Sequence, residues 1–311
     1  MNTGSHRGQQ SAGPGEAGPG TVDAWIDWRG GIDEVFAALM THPRFDETNR
    51  AFAVGTRAVA AADTAMDGLL KDLGRYLVAM YVLYLHLTSK GATLPRLLNN
   101  AVVRSYLSAG RIRAVVDLLT HYGYVAKLPS ERHGDPARYL PTDRFLKSWR
   151  AHIHSVLEAV SIVAPDVAPI RDGLDDLPVF SAFCRHHTET GFMELRDELQ
   201  EVAFVRIFLH RHAGWRLLWE LADGEDSGGA LSPGQVSING TAQRLGVSRT
   251  HVRRLLNEGA RAGLIRYEGP GTVALEEAGL VSVRFFYATQ CFVFVVAAQK
   301  AMAELSLRSG I

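Results

Sequence analysis

The stretch Leu245–Ile265, "LGVSRTHVRRLLNEGARAGLI", decides how the chain is read. Ala242, Leu245 and Val247 are apolar on one short helix and its turn. Val252, Leu255 and Leu256 recur at helical spacing on the next. Ser248 stands where an N-cap belongs, and Gly246 where a tight turn needs positive φ. This is the spacing of a helix-turn-helix, in which the first helix braces the second. The second then presents its opposite face, which carries Arg249, Thr250, His251, Arg253, Arg254 and Asn257.

Those residue types suit one task. Arginine bonds guanine O6 and N7 bidentately, and asparagine does the same for adenine. Serine and threonine at a helix N-terminus hold phosphate, where backbone N–H groups favour an anion. Arg253-Arg254 alone would read as a solvated face. The cap, the glycine turn and the apolar bracing together favour a binding face.

Downstream, "GLIRYEGPGTVAL" reads as strand, Gly/Pro turn and strand, with Arg266 placed for a phosphate. From about Trp215 to Leu275 the chain resembles the DNA-binding unit of bacterial winged helix-turn-helix transcription regulators. The resemblance implies a DNA-binding fold with the Ser248–Ala262 helix in the major groove.

The stretch has a twin. At an offset of 140 residues, "SAGRIRAVVDLLTHYGYV" (Ser108–Val125) aligns without a gap on "SRTHVRRLLNEGARAGLI" (Ser248–Ile265). Cap, core positions, helix length and terminating glycine coincide, and both copies run on into a strand–turn–strand pattern. The first copy is similar to the MarR type, with "TLPRLLNNAVV" as bracing helix and Lys127, Arg132, His133 and Arg138 in a longer wing. Its second helix opens on Ser108, Ala109 and Gly110, leaving Arg111 and Arg113 to reach bases. Base reading by this copy is therefore weaker, and phosphate contact or a protein contact are its other readings.

Charge follows the same division, although the net formal charge is zero. Residues 104–150 hold nine Lys/Arg against four acids, and residues 241–271 hold six arginines against two. The stretch 153–202 between them holds three arginines and ten acids. Basic blocks on both helix-turn-helix units suit phosphate neutralisation, and the acidic block is expected to face away.

Other features exclude more than they suggest. Cys184 and Cys291 are far apart, so no disulfide framework or CxxC zinc site is expected. His152-x-His154 and His210-x-His212 are poor chelates, because i and i+2 do not share a helix face, and the histidines read as scattered surface residues, with Cys184, His186 and His187 left open as a metal-ligand set. Neither an enzyme signature nor a cofactor motif is present. The apolar run Phe285–Ala298 falls short of the roughly 20 residues a spanning helix needs. A soluble, cytoplasmic bacterial protein without membrane contact is expected.

The expected fold is mainly α: tandem winged helix-turn-helix units with short β wings on a helical scaffold. The expected segments are a disordered tail (1–20), an N-terminal helical segment (21–62), a first winged unit (63–148), an acidic connector (149–205), a second winged unit (206–275) and an apolar C-terminal helix (276–311). That last helix packs either against the apolar helix Tyr76–Leu87 or across a homodimer. The expected partner is double-stranded DNA, in transcription regulation. A plasmid-type replication or partition initiator and a winged-helix protein adaptor are the alternatives. The sequence names no small-molecule effector.

Overall fold

The computed structural model describes residues 34–130, 132–194, 203–222, 237–267 and 273–309. The tail 1–20, the loop 224–235 and the turn 268–271 expected in a second wing lie outside the described residues. Helices dominate, and the strands form two small antiparallel sheets.

Helices α1 (Glu34–Thr41) and α2 (Phe45–Ala62) lead into α3 (Thr64–Leu69) and α4 (Leu73–Thr88). The continuous helix expected over 63–87 is two because aspartates restart it. Asp63 accepts from Ala65 N–H at 2.9 Å, and Asp72 from Arg75 N–H at 3.0 Å. Each satisfies an orphan first-turn donor, worth about 1 kcal/mol. The helix expected over 94–106 is likewise split. Asn100 leaves helical geometry and caps Val103 N–H at 2.9 Å, dividing α5 (Leu94–Asn99) from α6 (Ala101–Tyr106).

Helix α7 (Ala109–His121) follows, then β2 (Val125–Leu128) and β3 (Arg138–Pro141). A two-residue strand, β1 (Ala92–Thr93), completes a sheet of order β1-β3-β2. It is too short to leave a sequence pattern. Helix α8 (Asp143–Val160), a 3₁₀ turn (Pro165–Val167), α9 (Ala168–Asp172) and α10 (Leu177–Glu194) come next. Then follow a π-helical turn (Val205–Leu209), α11 (Gly214–Ala222), α12 (Ile238–Leu245) and α13 (Arg249–Arg261). Strands β4 (Ile265–Tyr267) and β5 (Val273–Leu275) and the long α14 (Glu277–Ser309) end the chain.

The two halves repeat one another closely. Helices α7 and α13 have the same length, and the glycines that follow them, Gly123 and Gly263, take φ 68° and 70°. Tyr124 N–H bonds Leu119 O at 2.8 Å, and Leu264 N–H bonds Gly259 O at 3.0 Å. Strand registers agree: Val125 faces Pro141, and Ile265 faces Leu275. Beyond the strands, Thr142 N–H bonds Tyr124 O at 2.9 Å, and Glu276 N–H bonds Leu264 O at 3.1 Å. Helix α2 packs along α8 in the first half, as α10 packs along α14 in the second.

One buried apolar cluster runs from Phe36 to Ala301. The sequence boundary at 148/149 falls inside α8 and does not divide this core. Helix α14 lies along α10 and α1, and α10 also packs on α4. Its Phe285, Phe286, Tyr287, Phe292 and Phe294 are buried. The helix runs well past the apolar core seen in sequence. Among the described residues it is the one helix long and apolar enough to cross a membrane, and 67% of its most apolar window is buried inside the protein.

Candidate nucleic-acid interface

The caps and the turn that the sequence marks between Ile238 and Arg261 are present. Helix α12 stops at Gly246, whose φ of 62° and ψ of 39° lie in the left-handed region. Val247 N–H then reaches back to Ala242 O at 3.0 Å and closes the turn. Ser248 Oγ accepts from His251 N–H at 3.1 Å and starts α13. Val252, Leu255 and Leu256 are wholly buried, which fixes the helix's rotation. Bracing comes from Glu220 on α11, which takes Arg244 at 2.8 Å and Thr241 Oγ1 at 3.0 Å.

That rotation exposes Ser248, Arg249, Thr250, Arg253, Arg254 and Arg261, with Asn257 half-buried. Arg253 has no hydrogen-bond or ion-pair partner among the described residues. Arg249 Nη1 rests 3.5 Å from Asn239 Oδ1, a weak restraint. Arg254 bonds His251 Nδ1 at 3.1 Å and lies 3.9 Å from Glu258. Between α12 and α13 opens a groove of about 500 Å³, lined by Asn239, Gln243, Ser248, Arg249 and Thr250. Arg266, on β4, is exposed and 3.6 Å from Glu276.

His251 has another task. It is half-buried, and its Nε2–H donates to the His212 carbonyl at 2.6 Å. The ring is thus the Nε2–H tautomer, which leaves Nδ1 free to accept from Arg254. It tethers α13 and orients Arg254.

The first copy is built alike but equipped differently. Ser108 Oγ caps Arg111 N–H at 3.4 Å, and Ile112, Val115, Val116 and Leu119 are buried. Arg113 is exposed and has no partner among the described residues. Arg111 lies 3.7 Å from Asp72. In and after β2, Lys127, Arg132 and His133 are exposed, whereas Arg138 is half-buried on β3 and donates to Lys90 O at 3.4 Å.

Sequence reasoning missed the group that joins the copies. Asp72 is 2% exposed, yet its Oδ2 faces Arg75 at 3.2 Å, Arg111 at 3.7 Å and His212 Nδ1 at 3.4 Å. Arg111 belongs to the first turn of α7. His212 holds His251 in the first turn of α13. Asp72 thus faces Arg111 of α7 directly, while α13 is reached indirectly, through the main chain of His212. Asp72 and His212 are themselves 140 residues apart, the offset of the repeat, and that signal was available in the sequence.

The histidines are not the surface set expected. His152 and His187 are wholly buried among Tyr76, Trp149, Phe183 and Phe294, because one member of each pair turns inward. Burial pushes their pKa values down to about 4 and about 3, so both are neutral near pH 7. Cys184 is also buried, and its thiol is pushed well up by burial. His186 turns the other way, to Glu304 at 3.0 Å. Among the described residues no group of three His, Cys, Asp or Glu side chains is arranged to hold a metal.

No family model, curated protein or solved structure matches the chain.

Proposed function

We propose that this chain binds duplex DNA sequence-specifically and regulates transcription through two winged helix-turn-helix units. The observation that carries the reading is the exposed cationic face of α13, held rigid by a capped, fully braced helix pair. Packing of the apolar face is common to surface helices; what is particular here is that it presents Arg249, Arg253 and Arg254 together on the exposed side. A reading helix needs such a presentation, because base contacts demand fixed side-chain origins.

The roles follow from position. Arg253 and Arg249 are the base-reading arginines, each bidentate pair worth about 1–3 kcal/mol of discrimination. Arg254, steadied by His251, and Asn257 stand behind them on the same helix. Ser248 and Thr250 at the N-terminus, Arg266 on β4 and the exposed wing residue Arg132 take phosphates, which set register rather than sequence. In the first unit Arg113 faces DNA with Arg111 beside it, and Arg138 at the wing base adds positive charge.

The test is selection of genomic duplex fragments by the full chain at moderate salt, read by sequencing. A shared sequence element upstream of genes is expected. Enrichment at a replication origin alone would favour the initiator reading. Failure to retain any duplex at low salt would overturn DNA binding and leave the protein-adaptor reading.

A further inference from the structure

We infer that this chain is a dimer fused into one polypeptide, and that a single copy fits a duplex with two unlike half-elements. The fused dimer rests on packing alone. The DNA target rests on the function proposed above.

A two-fold arrangement makes a specific demand. If part i of one half touches part j of the other, then j of the first must touch i of the second, and residues on the axis must meet their own counterparts. Head-to-tail stacking of repeats meets neither condition. Both are met here. The counterpart of α2 is α10: Thr48 and Thr188, 140 residues apart, each bond the carbonyl four residues back, at Arg44 and Cys184. The counterpart of α4 is α11. Helix α4 packs on α10, and α11 packs on α2, which is the swapped pair. On the axis Asp72 meets its counterpart His212 at 3.4 Å. One turn on, Tyr76 packs against Trp215, the neighbour of its own counterpart Arg216, with the rings 5.4 Å apart. Arg216 crosses the same seam to Asp67 at 2.8 Å.

The surface through which two single-unit chains would pair is thus filled internally. Among the described residues the large exposed apolar side chains are Val54, Leu177 and Leu307, on three separate helices. They form no second seam, and α14 offers none.

The fused halves have diverged on the face that meets DNA. Arg249, Thr250, Arg254 and Asn257 have as counterparts Ala109, Gly110, Ala114 and Asp117. Of the exposed arginines on α13's outer face, Arg253 alone keeps an arginine, Arg113, at its counterpart. Asp117 is exposed and would repel phosphate. One half-element therefore takes bidentate base contacts, and the other is held chiefly by Arg113 and the longer wing. A palindrome would offer the first half a sequence for which it keeps only Arg113 of the exposed arginines on α13's outer face.

The experiment is sedimentation of the full chain, free and on a duplex selected from genomic fragments, followed by footprinting of two surface variants. A free particle of 34.0 kDa and a complex of one chain per duplex are expected. Arg253→Ala should weaken binding about tenfold and thin protection over one half-element. Arg113→Ala should thin the other. A free dimer, or two chains on a palindrome, would overturn the inference. If no duplex binds, the unlike-half-site target falls with the proposed function, and the free mass still decides for or against the fused dimer.

Discussion

Asp72 and His212 hold the same place in the two halves of the chain, and their side chains meet at 3.4 Å. Asp72 also caps α4 and faces Arg111 from α7, while the His212 carbonyl accepts from His251 on α13. One buried carboxylate thus does local work as a cap and long-range work as the tie between two helices far apart in sequence.

Those two tasks separate by substitution. Asp72→Asn keeps an oxygen for the cap, which asparagine fills as well as aspartate. It removes the charge that faces Arg111 and His212. Asp72→Ala removes both. In urea unfolding Asp72→Ala should lose about 1 kcal/mol more than Asp72→Asn. On the proposed function, duplex affinity should fall in both, because both loosen the spacing of α7 and α13. Equal stability for the two variants would contradict the capping role. Unchanged affinity in Asp72→Asn would contradict the tie.

Gly246 gives a test of the turn itself. Its φ of 62° costs a residue with Cβ about 1–2 kcal/mol, and a Cβ here would also stand 3.3 Å from Lys71 Nζ. Gly246→Ala should lower stability by that amount, measured by urea unfolding. Gly246→Asn should lose less, since asparagine visits this region more readily. A neutral Gly246→Ala would mean that the turn relaxes without cost.

The buried histidines predict a pH dependence whose sign is fixed. Unfolded histidine takes a proton near pH 6.5, whereas burial holds His152 down to about 4 and His187 to about 3. The unfolded chain therefore binds more protons in this window, and stability present above pH 6.5 drains as pH falls. For His152 the drain is roughly 3 kcal/mol by pH 4. His86 and His210, whose pKa values burial also lowers, act in the same sense. Thermal unfolding should show Tm falling between pH 6.5 and 5, above the range where most carboxylates titrate. His187→Gln should flatten that slope. A slope unchanged in the variant would assign the effect to other groups.

Much of this architecture was legible in sequence, for physical reasons. Ser108, Ser248, Gly123, Gly246 and Gly263 mark caps and turns that few other residues fill, so both helices and the turns around them could be placed. Basic blocks could be counted. The breaks at Asp72 and Asn100 were hidden, because a cap inside an apolar run does not interrupt its period. Strand β1 was hidden because two residues carry no period. His152 and His187 were misplaced because histidine is amphipathic, and its burial depends on neighbours far along the chain. His251 was read as facing outward, since nothing local reveals the carbonyl of His212. The seam between the halves needed three dimensions, although the 140-residue offset already linked Asp72 to His212.

The most direct test of DNA reading through α13 is the salt dependence of duplex affinity for the full chain and for Arg253→Ala and Arg254→Ala. Phosphate contacts release counterions, so log K should fall steeply against log salt, by roughly 0.9 per phosphate neutralised. Arg253→Ala should weaken binding to the selected sequence about tenfold and leave nonspecific affinity and slope nearly unchanged, as befits a base contact. Arg254→Ala, behind the base-reading pair, should weaken binding to the selected sequence by a smaller factor. Affinity indifferent to salt, or variants indistinguishable from the parent on every duplex, would contradict the account.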